Sequence, residues 1–426
     1  MIAESRASLE SPSTSTAGPC RFCGAGLRDV FVDLGMSPLC ESYLAADQLN
    51  RMEPFYPLRV FVCRQCLLVQ LQEYVSPAEI FTEYAYFSSY SSAWLAHAEA
   101  YAEMIGARLG LGRDSLVVEL ASNDGYLLQY FLARGIPVLG VEPARNVAAA
   151  AETRGVPTRV AFFDAALAQR LAAEGKSADL IVANNVLAQV PDLNSFVAGM
   201  RDLLKPQGVI TVEVPHLMRL VEGNQFDTIY HEHFSYFSLL AAERIFAAHG
   251  LTLFDVEELW THGGSLRLYI RHAADPSRPV SPRARALRAS EVAAGYADPG
   301  GAPYRSFEER ARSTKRRLLG LLIKAKQAGG SVAGYGAPGK GNTLLNYCGI
   351  RADFLDFTVD RNPYKQGKFL PGSHIPIHPP ERLDEARPDY VLILPWNLKD
   401  EIIAQLAHAR SWGARFVVPI PEPLIC

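Results

Sequence analysis

Two cysteine pairs, Cys20-Arg-Phe-Cys23 and Cys63-Arg-Gln-Cys66, constrain this 426-residue chain more than any other feature. Each Cys-x-x-Cys pair can present two thiolates from one tight knuckle, and two knuckles complete a tetrahedral zinc site. Cys20, Cys23, Cys63 and Cys66 are therefore read as the ligands of one structural Zn2+, which staples a small unit over residues 18–75. A site filled by four thiolates has no open position, so this metal builds the fold and leaves the chemistry alone. Cys40, between the knuckles, reads as a core residue, and Cys348 and Cys426 have no partner pattern.

Beyond that unit, strand-like runs alternate with helical ones at Leu116–Leu120, Val138–Val141, Leu180–Ala183, Val209–Val214, Leu253–Val256 and Leu266–Ile270. Such alternation predicts a largely parallel sheet flanked by helices. Only a short loop around Trp260–Gly264 separates the last two runs, which predicts an antiparallel pair at the sheet edge. Residues 275–303, rich in Pro, Gly, Ala and Arg, read as a boundary. A helix over Phe307–Gln327 then leads to strands Val332–Tyr335, Phe357–Val359, Tyr390–Leu394 and Phe416–Pro419. The predicted fold class is α/β. Residues 1–17 form a disordered tail, 18–75 the zinc-binding domain, 76–300 a Rossmann-like domain, and 301–426 a second, C-terminal Rossmann-like α/β domain.

A formal net charge of −3, with no basic face carrying interleaved aromatics, argues against nucleic acid as a partner. No apolar run reaches the ~18 residues of a membrane span. The N-terminus lacks the basic-then-apolar order of a secretion signal. A cytoplasmic monomer that meets no membrane is expected.

In an open α/β sheet, ligands bind beyond the carboxyl ends of the strands. Glu119 and Glu142 lie at two such ends, and a carboxylate in the second place can hold both ribose hydroxyls. Between them, Ser122-Asn123-Asp124-Gly125 is a turn that lets backbone approach a ligand. Its acid repels pyrophosphate but suits a cationic amino-acid moiety, which favours S-adenosylmethionine over NAD in this domain. Phe163 and Asp164 are placed to cover adenine, and Asn184 and Asn185 close the fourth strand, where substrate would be met. The Tyr/Ser-rich segment containing Tyr86 and Ser88 reads either as a polar connector or as a lid over the cofactor.

Tyr230-His231-Glu232-His233 packs two imidazoles, a carboxylate and a phenol into four residues, so candidate bases sit beside groups that could hold or polarise them. From the residues alone either histidine could be the base. Gly334-Tyr-Gly336-Ala-Pro-Gly339 fits a dinucleotide fingerprint, with Asp360 near the distance of a ribose-binding acid, so NAD competes as a ligand there. Together with Lys340, this turn could hold any pyrophosphate. The phosphate-loop pattern fails, because Gly341 stands where Ser or Thr is required.

The chain resembles the zinc-containing, S-adenosylmethionine-dependent C-methyltransferases of TDP-deoxysugar biosynthesis, from about residue 18 to the end. The cysteine pairs carry the resemblance, together with Tyr86-Phe-Ser-Ser89, Ser122-Asn-Asp-Gly125, Asn184-Asn-Val-Leu187, Glu213-Val-Pro-His216, Tyr230-His-Glu-His233, His262-Gly-Gly-Ser-Leu-Arg267 and Gly334-Tyr-Gly-Ala-Pro-Gly-Lys-Gly341. It implies a class I methyltransferase domain in the middle and a C-terminal domain that helps bind the nucleotide sugar. The implied reaction methylates carbon 3 of a TDP-linked 4-keto-6-deoxysugar. His233 would be the base, Tyr230 or a nearby donor would stabilise the enolate oxygen, and Glu232 would orient or polarise the site. Asn185, Gln189, His262, Arg267, Lys340 and Arg361 are then expected to contact the substrate. Gln189 stands where the family often has a His, and Ala121 where it often has a Gly. Two alternatives are a bifunctional enzyme that also reduces the 4-ketone with NADPH, and an NAD(P)-dependent sugar-nucleotide oxidoreductase.

Overall fold

The computed structural model describes residues 17–81 and 87–426. The expected tail, Ala17 excepted, and Tyr86 lie outside the described residues. Within them the cysteine unit is an antiparallel sheet of β1 (Asp29–Ser37), β2 (Tyr56–Val62) and β3 (Val69–Leu71). A fourth strand, β9 (Ser235–Tyr236), arrives from much later in the chain and pairs with the edge of β3. The segment just before β9 contains His233, so the cysteine unit fixes where that histidine stands.

The central sheet holds β4 (Val117–Leu120), β5 (Val138–Glu142), β6 (Thr158–Val160), β7 (Ala178–Asn184), β8 (Leu204–Pro215), β10 (Leu251–Leu259) and β11 (Ser265–His272). Their order is β10-β11-β8-β7-β4-β5-β6. The pairs from β8 to β6 are parallel, while β11 runs antiparallel to both of its neighbours. The antiparallel pair read around Trp260–Gly264 is thus at the sheet edge. All four residues of β4 are buried, as a strand covered by helices on both faces requires. Chain order reverses between β4 and β7, which opens a crevice beyond their carboxyl ends.

The third sheet is β12 (Val332–Tyr335), β13 (Phe357–Val359), β14 (Ile377–His378), β15 (Tyr390–Ile393), β16 (Arg415–Val418) and β17 (Leu424–Ile425), in the order β14-β13-β12-β15-β16-β17. Only β17 is antiparallel to its neighbour. Its order reverses between β12 and β15, giving a second crevice of the same kind.

The cysteine unit is too small to bury a sizeable core of its own. One apolar cluster joins Phe31, Val60 and Leu71 to Phe307, Leu318 and Leu345 of the C-terminal part, with Phe31 stacked on Phe307 at 4.6 Å. A second joins Cys20, Leu27 and Leu68 to Leu187, Val214 and Phe237 of the central part. The three sheets therefore share their cores.

The stretch read as a boundary at 275–303 contains the helix Pro282–Ala293. Ser281 caps it by accepting from the Ala284 amide at 3.1 Å, and Pro282 occupies the first turn, where a missing N–H costs nothing. Ala284, Leu287 and Glu291 recur on one face and are buried. Glu291 holds His216 at 2.8 Å and accepts from the Leu239 and Leu240 amides. Proline and arginine content concealed a helix whose apolar face is only two side chains wide.

Candidate active site

The turn Ser122–Gly125 lies in the crevice beyond β4 and β5. Gly125 has φ +77°, and a Cβ there would stand 2.9 Å from Val156 Cγ2, so the turn admits glycine alone. Glu142 is buried at the end of β5. Its carboxylate accepts from the Asn123 amide at 2.9 Å and the Ala144 amide at 2.8 Å, which leaves a lone pair on each oxygen. Burial pushes its pKa above the ordinary carboxylate value. Glu119 is buried one residue before the end of β4, and burial holds its carboxyl well above the usual range. Among the described residues, Glu119 Oε2, Ser122 Oγ, Asp124 Oδ1 and Asn184 Oδ1 have no hydrogen-bond partner. Buried polar atoms left unpaired at one place are unfavourable until water or a ligand reaches them, and this set fits a polar nucleoside cofactor.

Residues 87–91 cover that turn. The Ser88 amide donates to Asn123 Oδ1 at 2.8 Å, and the Ser89 hydroxyl bonds Asp124. Asp124 also pairs with Arg154 at 2.8 Å. The acid read as a partner for a cationic ligand is thus already neutralised by a guanidinium, which such a ligand must share or displace. Phe163 is half-buried and edge-on to Phe196 at 5.3 Å. Asp164 is exposed and caps the helix Ala165–Ala173 by accepting from the Leu167 amide at 2.7 Å. Its expected cofactor contact therefore competes with a helix cap. Asn185 adopts φ +54° just past β7, and Gln189 is half-buried in the short turn that follows.

The Tyr-His-Glu-His segment sends its side chains to different partners. His233 Nδ1 lies 3.1 Å from the Thr228 carbonyl. A carbonyl can only accept, so Nδ1 carries the proton and Nε2 keeps its lone pair. Its ring is 4.1 Å from that of Tyr230. Burial, followed by the neighbouring His262 and Lys340, holds the His233 imidazole down at about 4. It is neutral at pH 7. The Phe234 amide donates to the Ala188 carbonyl at 2.7 Å, and the Phe234 carbonyl accepts from the Leu71 amide at 3.0 Å, so the backbone beside His233 is fixed on both sides.

His231 packs into the cysteine unit, its Nε2 3.2 Å from the Pro57 carbonyl and its ring edge-on to Tyr56 and Tyr74. Glu232 is buried and 3.5 Å from the Cys40 thiol. Burial and then the charge of Glu41 push its carboxyl up to about 8, so it holds a proton at pH 7.

Two expectations need correction. Arg267, expected to contact the substrate, is held inside the sheet instead. It reaches Glu213 Oε1 through Nε at 2.8 Å and Nη2 at 2.5 Å, and Glu257 through Nη1 at 3.1 Å. Its guanidinium lies over the Tyr101 ring at 4.6 Å. Glu213 is also 3.2 Å from His97. Sequence spacing could not show this, because β11 carries Arg267 directly opposite Glu213 on β8.

The glycine turn after β12 is likewise closed by protein. Tyr43 donates to the Ala337 carbonyl at 2.6 Å, and Asn342 donates to the Cys40 carbonyl at 2.5 Å. A Cβ at Gly339 would meet Cys40 Sγ at 2.8 Å. Asp360 accepts from the Ala337 and Asn362 amides at 2.7 and 2.8 Å. A dinucleotide pyrophosphate needs that backbone open, so the fingerprint serves as a docking point for the cysteine unit. Arg361 is exposed beside a separate cavity of about 250 Å³ lined by Tyr335 and Glu381.

Lys340 instead faces the second crevice. Its Nζ donates to Asn397 Oδ1 at 2.9 Å and lies 5.0 Å from the centroid of Trp396. The Trp396 indole donates to Asp227 Oδ2 at 2.6 Å. His262, at φ +54° in the β10–β11 turn, stands edge-on to Trp94 at 5.4 Å. Sequence reading missed Asp227, Trp396 and Asn397. The signals were weak: an acid a few residues before Tyr230, and an aromatic-amide pair just past a strand.

The four knuckle sulfurs lie within 4.8 Å of one another, with Cys20–Cys66 and Cys23–Cys63 each at 3.5 Å. Four thiolates around zinc stand about 3.8 Å apart, so the set fits that ion. Gln70 Nε2 donates to Cys20 Sγ at 3.0 Å, a contact that would steady a thiolate ligand.

Family models match a zinc binding domain over residues 20–81, a methyltransferase domain over 94–256 and a C-methyltransferase C-terminal domain over 260–421. The C-methyltransferase NovU of Streptomyces niveus is 39% identical over 406 residues, covering 95% of this chain and 96% of that protein. The ubiquinone biosynthesis O-methyltransferase of Bartonella bacilliformis is 24% identical over 97 residues, 22% of this chain and 39% of its own. A solved S-adenosylmethionine-dependent methyltransferase from Clostridium acetobutylicum covers 41% of this chain and 91% of that one, at 13% identity and a TM-score of 0.33. With a zinc binding domain, a central methyltransferase domain and a relative matched almost end to end, the chain belongs to the family of S-adenosylmethionine-dependent C-methyltransferases.

Proposed function

We propose that this C-methyltransferase acts on carbon 3 of a TDP-linked 4-keto-6-deoxysugar, with His233 as the base. The observation that carries the reading is the orientation of His233: Nδ1 is tied to the Thr228 carbonyl, so the lone pair on Nε2 is free to take a proton. A carbon must become a nucleophile before it can accept an electrophilic methyl. A ketone at carbon 4 acidifies the neighbouring C–H, because the carbanion spreads onto oxygen as an enolate. A positioned neutral imidazole is a suitable base for that proton.

S-adenosylmethionine supplies an electrophilic methyl on a sulfonium. In this reading Glu142 holds the ribose hydroxyls, and Glu119, Ser122, Asn123, Asp124 and Gly125 shape the rest of the cofactor cradle. Ser88 closes over it, Phe163 borders the adenine, and Asn184 lies where cofactor and substrate meet. Asn185, Gln189 and His262 contact the sugar, and Tyr230 lies against the base. Glu232, protonated and next to Cys40, acts by holding the segment.

The test is His233→Asn, assayed for deuterium wash-in at carbon 3 and for methyl transfer. Both are expected to fall by about 10²–10⁴. Retention of both near the native rate overturns the assignment.

A further inference from the structure

A polar cluster lies at the crevice between β12 and β15. Lys340 is the second residue of the helix Gly339–Cys348, and Asn397 and Trp396 follow β15. They sit at the reversal point of the third sheet, where open α/β sheets place ligands. The same cluster is tied to the His233 segment: Trp396 bonds Asp227, the residue before Thr228 whose carbonyl holds His233 Nδ1, and Thr343 of the Lys340 helix donates to the Ile229 carbonyl at 3.1 Å. Asp227 is fully buried behind Trp396, and among the described residues its Oδ1 has no hydrogen-bond partner; burial lowers the basicity of Lys340, and the Asp227 carboxylate opposes that.

A cation in this place has two candidate ligands, the diphosphate of a nucleotide sugar and the oxygen of the ketone. The surroundings argue against the diphosphate. A polyanion needs several convergent donors, and the neighbouring backbone turn is closed by Cys40 and Tyr43. Arg361 faces a different cavity, and Arg267 is tied to Glu213. The carboxylate of Asp227 adds repulsion towards a polyanion. One cation, backed by one acid and flanked by an aromatic face, suits a single developing negative charge.

We infer that Lys340 is a further catalytic residue, whose ammonium receives the enolate oxygen formed when His233 takes the proton from carbon 3. The inference rests on the proposed His233 reading. In the step the C3–H bond breaks and its proton goes to His233 Nε2. The electron pair becomes the C3–C4 π bond, and the carbonyl π pair moves onto oxygen, where Lys340 offers an N–H. No oxidant or second reactant is needed. A carbon-bound proton is removed more readily when a positioned donor stabilises the anion that forms. Asp227 and Asn397 are positioning residues that act through Lys340.

The experiment measures deuterium wash-in at carbon 3 of TDP-4-keto-6-deoxyglucose in heavy water without methyl donor, alongside calorimetric binding of TDP. Lys340→Met is expected to slow wash-in about a hundredfold, with TDP affinity within about threefold of the native value. Lys340→Arg, which keeps the charge, is expected to recover part of the rate. Parallel loss of wash-in and TDP affinity in Lys340→Met would make Lys340 a phosphate ligand and overturn the inference. Wash-in at the native rate overturns it alone and leaves the His233 reading standing. Absence of wash-in from the native enzyme overturns both.

Discussion

Replacing Arg267 with Met separates a structural ion pair from a substrate contact. The side chains of Arg267 and Glu213 are 6% and 1% exposed, so the variant leaves a carboxylate in the sheet with only His97 beside it. Removing one partner of a buried pair costs about 3–5 kcal/mol, because the other charge stays buried. Loss of the Tyr101 and Glu257 contacts adds to that. For a domain of this size the Tm should drop by on the order of 10 °C. The pH dependence has a definite sign. Burial pushes the Glu213 carboxyl up, but His97 and Arg267 together bring it below the usual value. A carboxylate with a lowered folded pKa stabilises above its unfolded pKa and loses that contribution as pH falls through the folded one. The gap between native and variant is therefore widest near neutrality and narrows below about pH 4. Thermal denaturation across pH, with KM for the nucleotide sugar measured well below the transition, is the assay. A Tm within about 2 °C of native combined with a tenfold rise in KM would refute the ion-pair account and return Arg267 to the substrate.

Three further outcomes are expected. Since His233 is held near 4, the rate of proton abstraction should stay level from neutrality down to about pH 5 and fall only below it; a limb at the ordinary imidazole value of about 6.5 in the pH–rate profile contradicts this. Gly125→Ala forces a Cβ onto Val156 at φ +77° and should weaken S-adenosylhomocysteine binding at least about tenfold by calorimetry, whereas unchanged affinity would deny the turn its place in the cradle. Cys66→Ser should abolish bound zinc and speed hydrogen exchange at the Leu71 amide, which holds the Phe234 carbonyl, with catalysis falling in step; unaltered exchange would disconnect the metal from the His233 segment.

The architecture was legible because it depends on local pattern. The strands at Val138, Leu180, Val209 and Leu266 are apolar runs bounded by turns, and the knuckles fix the zinc ligands by spacing alone. The helix Pro282–Ala293 was hidden because its buried face is narrow and its other residues are arginine, serine and alanine. At the site, the turn Ser122–Gly125 and the Tyr230–His233 segment were visible as clusters of unusual residues. Which imidazole is free was not, since that depends on the Thr228 carbonyl and on the Pro57 carbonyl in another sheet. The glycine fingerprint misled for the same reason. Its local conformation is that of a phosphate turn, and only the long-range approach of Cys40 and Tyr43 closes it. Arg267 belongs to this class too, because its partner lies across a strand pair.

Hydrogen bookkeeping at one carbon probes the central claim most directly. The enzyme is incubated with S-adenosylmethionine and a TDP-4-keto-6-deoxysugar carrying deuterium at carbon 3, and the product is read by mass spectrometry and NMR. A base at His233 that prepares carbon 3 predicts that each methyl gained is matched by one deuterium lost, with the new group on carbon 3. A methylated product that keeps its label, with the methyl on oxygen or nitrogen, contradicts the account.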